Sequence, residues 1–167
     1  MADGRWQMGP ETQTRIRDVE QIPVFQLFFR LALDVEKVTR NAGPDFRWLR
    51  IQCLRSSEAV CANMAEGFYS QYSTEYVQSL YRCRREARET IAHIRYALGT
   101  GQLSEADSSE LISRYEEAIQ QLANVITSIE RKMSLRGKAK DMPSSVREDK
   151  PEYGDESRDW PEDPISH

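Results

Sequence analysis

The stretch Val60-Cys61-Ala62-Asn63-Met64-Ala65-Glu66-Gly67-Phe68 ends one long helical pattern and leads into another, so its reading decides the fold. Upstream of it, Leu49, Cys53, Val60 and Met64 recur at helical spacing and mark one buried stripe. The glycine after them is expected to take a left-handed conformation and cap the helix, with Tyr69 to Tyr72 as the turn. Asn63 and Glu66 lie one helical turn apart beside that glycine. They are expected to hold the corner through hydrogen bonds, since polar groups at buried corners need partners; a polar binding site is the alternative.

Working outward, three more helices appear. Before the quoted stretch, Val24, Phe28, Leu31, Val35 and Val38 form the buried face of a first helix running to about Asn41. Gly43-Pro44-Asp45 then reads as a turn, with Asp45 the N-cap of a second helix that ends near Glu66. After it, Ser73 or Thr74 can cap a third helix burying Tyr76, Leu80, Cys83, Ala87, Ile91, Ile94 and Leu98 as far as Gly99. Ser104 and Asp107 resemble a capping box for a fourth, which buries Leu111, Tyr115, Ile119, Leu122, Ile126, Ile129 and Met133. Gly43, Gly67, Gly99, Gly101 and Gly137 fall where the periodicity breaks, and no proline lies between Asp45 and Met142. Four helices joined by short turns predict an all-α, antiparallel up-down four-helix bundle over residues 23–136. Residues 1–22 read as a flexible lead, and residues 137–167 as a disordered acidic tail.

The pattern Asn63-x-Ala65-Glu66-Gly67-Phe68, followed by Ser73-x-Glu75-Tyr76 and later Glu89, resembles the bacterial four-helix-bundle protein family, also called the ribosomal-RNA intervening-sequence protein family. The resemblance extends from about Val24 to Lys132. Ala97-Leu98-Gly99 and Leu103 match the small-apolar-glycine turn before the fourth helix, and Cys61 departs from the pattern where members typically carry a proline. The resemblance implies a small all-α bundle, commonly a homopentamer. It also implies a kinship with the accessory protein of diversity-generating retroelements, which would make a reverse transcriptase a possible partner, but no established chemistry. The first helix fits assembly. Phe25, Leu27, Phe29, Ala32 and Leu33 give it more apolar surface than one buried face needs, leaving Gln26, Arg30 and Asp34 as a narrow polar stripe.

Charge and composition exclude several classes. The segments 1–22, 23–136 and 137–167 carry net charges of −1, +1 and −4, so the bundle is nearly neutral and the acid is concentrated in the tail. No positively charged start leads into an apolar run, so a cytoplasmic protein is expected, and the polar stripe of the first helix excludes a membrane span. Cys53, Cys61 and Cys83 sit inside helical patterns without a Cys-x-x-Cys pair and are expected to be buried small hydrophobes. A di-iron bundle needs Glu-x-x-His on two helices; Glu89 and His93 are four apart, and the other histidine is His167. With no phosphate-binding glycine loop or nucleophile set, no enzyme, metal or cofactor is expected.

The constellation that carries information is Arg82, Arg84, Arg85, Arg88 and Arg95 on the third helix. At about 100° per residue Arg84, Arg88 and Arg95 fall within roughly 40° of one another, as a stripe beside the apolar face, with Arg85 and Arg82 further toward solvent. Guanidinium groups repeated in this way grip phosphates, so a surface for RNA or DNA is expected. Two readings compete with it: ion pairing with the acidic fourth helix, and packing against a neighbouring subunit in a protein-binding module whose tail recruits a partner. Asp155, Glu156, Asp159, Glu162 and Asp163, around Trp160, give the tail two readings: a tethered competitor with nucleic acid for the arginines, or a solubilising tail with no contact to the bundle.

Overall fold

In the computed structural model, residues 16–140 are described, with side chains as far as Arg136. A short 3-10 turn at Val19–Gln21 leads into α1 (Pro23–Thr39), and a second at Pro44–Phe46 leads into α2 (Arg47–Phe68); α3 (Ser73–Gly99) and α4 (Glu105–Lys140) complete the chain. Each helix packs against its sequence neighbours, and α1 closes against α4, so the four helices form an antiparallel square. The predicted stripes become one core. Phe28, Val35, Cys53, Val60, Met64, Leu80, Ile94, Tyr115, Leu122 and Ile129 are almost completely inaccessible to water.

The turns at one end are tied together, because the Gly43 N–H donates to Gln102 Oε1 at 2.9 Å, joining the α1–α2 and α3–α4 connections. Gly101 is the position there that needs glycine, with φ at +72°. Ser104 caps α4 as expected: its Oγ accepts from the Asp107 N–H at 3.0 Å and donates to Asp107 Oδ2 at 2.7 Å.

Several local expectations are corrected. Gly67 is not a left-handed cap; α2 continues through it to Phe68, and Gly101 alone among the described residues has a positive φ. Gly67 is required because α3 crosses there. A Cβ at this position would overlap Ser79 Cβ and stand 2.8 Å from Ser79 Oγ and 3.2 Å from Tyr76 Cδ2. Asp45 belongs to the 3-10 turn and does not cap α2, whose N-cap is Phe46, because Pro44 starts a tight turn one residue earlier. Ser73 opens α3 as its first residue, after Tyr72 and without a side-chain cap. Gly137 does not end α4, which continues to Lys140, so the last helix is about one turn longer than its apolar pattern indicates. The N-terminal lead before Ile16 and the acidic tail after Lys140, including Asp155 to Asp163, lie outside the described residues.

A band of small polar residues runs between α2 and α3. Ser56, Ser57, Ser79 and Thr90 are buried, and Thr90 Oγ1 lies 2.8 Å from Ser56 Oγ and 2.9 Å from the Glu86 carbonyl oxygen. Cys83 Sγ donates to the Val60 carbonyl at 3.2 Å across the same interface. Burial pushes the Cys53 and Cys61 thiols up to about 11 and Cys83 to about 12, which keeps all three neutral; Cys53 and Cys83 are the buried small hydrophobes expected, whereas Cys61 is half-buried. Tyr115 Oη is buried in the core with no hydrogen-bond partner among the described residues.

Candidate nucleic-acid interface

The five arginines of α3 do not share one environment, because α3 is flanked by α2 on one side and α4 on the other. Ser79, Cys83 and Thr90 point to α2, whereas Tyr81 and Arg95 reach α4. The stripe of Arg84, Arg88 and Arg95 therefore runs along the α4 side. Arg95 pairs with Glu116 of α4 at 3.4 Å, and the half-buried Arg84 lies 4.8 Å over the Tyr81 ring. Tyr81 in turn donates to Glu130 of α4 at 2.7 Å, a bond that raises its phenol above the ordinary value. Ion pairing with the acidic fourth helix thus accounts for Arg95, and cation–π contact for Arg84.

The other three differ. Arg88 is exposed and makes no ion pair among the described residues. Arg85 has a side chain 72% exposed, with only the adjacent Glu86 near it at 3.4 Å. Arg82 turns toward α2 and donates to Ser79 Oγ at 3.0 Å. Helical geometry puts Arg85, Ala92 and Tyr96, all exposed, within roughly 40° of one another on the outer face of α3, with the exposed Arg88 at the edge of that arc toward α4. Glu89 borders that arc but is turned to His93, whose Nε2 lies 3.4 Å from it; His93 is half-buried and paired within its own helix.

Three residues that the sequence reading did not single out extend this surface. Trp48 of α2 and Tyr96 of α3 form an edge-to-face pair with centroids 5.7 Å apart, yet they remain 49% and 52% exposed. Arg55, seven residues after Trp48 on the outer side of α2, is also exposed. Their signal was present: Trp48 precedes Leu49 and Tyr96 follows Ile94 by two, so both aromatics fall off the buried stripes.

Asn63, Glu66 and Gly67 do not make a site. Asn63 Nδ2 donates to the Ala59 carbonyl of its own helix at 2.7 Å, and Glu66 is exposed. The expectation that these two side chains fix the α2–α3 corner is corrected. Close packing at Gly67 and the bond from Ser70 Oγ to the Gly67 carbonyl, 2.7 Å, hold it instead. No group of three or more His, Cys, Asp or Glu placed to hold a metal ion occurs among the described residues. Nor is any helix there long and apolar enough to cross a membrane.

Comparison with known proteins agrees with the fold. A crystal structure of a protein of unknown function from the S23 ribosomal protein family of Bacteroides thetaiotaomicron superimposes with a TM-score of 0.58, at 18% identity, over 62% of this chain and 95% of that one. At that identity the match supports the fold. No curated protein matches. The family model described as 23S rRNA-intervening sequence protein matches residues 20–124, from the turn before α1 into α4, and the chain belongs to that family.

Proposed function

We propose that this chain is a non-enzymatic RNA-binding bundle whose phosphate-contacting surface is the outward arc of α3, carried by Arg85 and by Arg88 at its α4 edge. The observation that carries the reading is the division among the arginines. Arg84 and Arg95 are engaged at the α4 seam, while the exposed Arg88 makes no ion pair among the described residues and the largely exposed Arg85 meets only the adjacent Glu86. Exposed guanidinium groups one turn apart on a rigid helix suit phosphate, which takes planar, multiple donors. Arg82 flanks the arc and adds to its field. Of the partners the resemblance implies, ribosomal RNA and a reverse transcriptase, the family's description points to the first.

Assembly is part of the same proposal. Phe29 and Leu33 stand 50% and 57% exposed on the outer side of α1, beside an open cleft of about 420 Å³ lined by Glu20, Phe25, Gln26, Phe29 and Arg30. This is the face on which copies of the chain would meet, five in number by the resemblance, and it leaves the α3 arc open to RNA. The test is RNA binding by Arg85→Glu combined with Arg88→Glu, alongside light scattering. Binding should be lost while the molar mass stays that of the wild type. A change of mass with RNA binding retained would favour the protein-packing role for the arginines.

A further inference from the structure

We infer that the exposed Trp48–Tyr96 pair makes this surface selective for unpaired RNA, with a base stacked on the aromatic rings and the flanking phosphates held by Arg55, Arg85 and Arg88. The inference rests on the RNA-binding reading and adds the class of RNA. The bundle does not need these rings in water: the core at that end is closed by Leu49, Ala97 and Leu103, all buried. An edge-to-face pair covers at most one face of one ring, so each of these half-exposed rings keeps a π face for a further planar group.

The charges around the pair select which planar group that is. Ala92, one turn before Tyr96, presents no bulk, and Arg88 follows one turn further back, about 12 Å along the axis from Tyr96. On α2 Arg55 lies about 10 Å from Trp48 along its own helix. Cationic groups thus stand near an aromatic platform on both helices, and Glu89 at the border is turned to His93. A nucleic acid strand with a splayed base satisfies both parts at once. A duplex presents phosphates and 2′-hydroxyls but keeps its base faces stacked, so it engages the arginines and leaves the rings unused.

The experiment is equilibrium binding of a short unstructured RNA and of a hairpin duplex of equal length, by wild type, by Trp48→Leu combined with Tyr96→Leu, and by Arg85→Glu combined with Arg88→Glu. The wild type should prefer the unstructured RNA. The leucine pair should weaken that RNA about tenfold or more while leaving the duplex within about twofold. The arginine pair should weaken both. As an independent readout, the unstructured RNA should quench wild-type tryptophan emission by a component missing in Trp48→Leu alone. Unchanged single-strand affinity in the leucine pair, an equal loss for duplex, or a changed oligomer mass would remove this inference and leave the RNA reading intact. Unchanged affinity in the arginine pair would remove both.

Discussion

Helix α3 is held by two seams of opposite character. Toward α2 the contact is made by small residues, Gly67 against Ser79, Ser56 against Thr90 and Cys83 against the Val60 carbonyl, so the backbones approach closely and nothing charged intervenes. Toward α4 it is bridged at its edge by long side chains: Arg95 to Glu116, Tyr81 to Glu130 and Arg84 over Tyr81. The difference teaches where tolerance lies. The α2 seam is fixed by shape, where one methyl group matters, whereas the α4 edge is fixed by exposed polar contacts that water and salt can replace.

The sharpest break in that contrast is Gly67→Ala. Its Cβ has no room against Ser79, so the variant is expected to lose about 2 kcal/mol or more, read as a lower thermal midpoint. Adding Ser79→Gly should restore part of the loss, because the atom that clashes is then absent.

The next effect is in pH. Thiols of the unfolded chain ionise near 9, whereas in the bundle Cys53 ionises near 11 and Cys83 near 12, because burial disfavours the thiolate. The unfolded chain therefore releases these protons first, so the stabilisation is complete below pH 9 and is lost as pH rises toward 11 for Cys53 and 12 for Cys83. Denaturant titrations across this range should show a shallower fall in Cys53→Ala than in the wild type.

Smaller and opposite in sign is Tyr115→Phe. Its hydroxyl is buried without a partner, so removing it should leave stability unchanged or raise it by about 1 kcal/mol, measured by urea unfolding. A drop in stability would show that the hydroxyl is bonded in solution. Smallest is Glu116→Gln at the α4 edge: both it and Arg95 are more than half exposed, and the thermal midpoint should stay within measurement error.

The fold was legible in the sequence because helical periodicity survives tertiary packing; the stripes ending in Val38, Met64, Leu98 and Met133 each fall within one of the four helices. Exact joints were less so. Gly67 sits where a cap is expected, yet its role is set by Ser79, twelve residues away, and spacing along one helix carries no record of what crosses it. Asp45 lost its capping role to the 3-10 turn begun by Pro44. The arginine surface was half legible. A helical wheel places Arg84, Arg88 and Arg95 together, but the position of α4 decides which are engaged, and Trp48 and Tyr96 meet only after α2 and α3 pack.

The central claim is that the outward arginines of α3 hold phosphate while those at the α4 seam hold protein. The salt dependence of RNA affinity measures it directly, since each phosphate contact contributes a slope of about 0.7 to 0.9 in log affinity against log salt. Arg85→Gln with Arg88→Gln should flatten that slope by about 1.5, and Arg84→Gln with Arg95→Gln should leave it nearly unchanged. The account is contradicted if the seam pair flattens the slope and the outward pair does not.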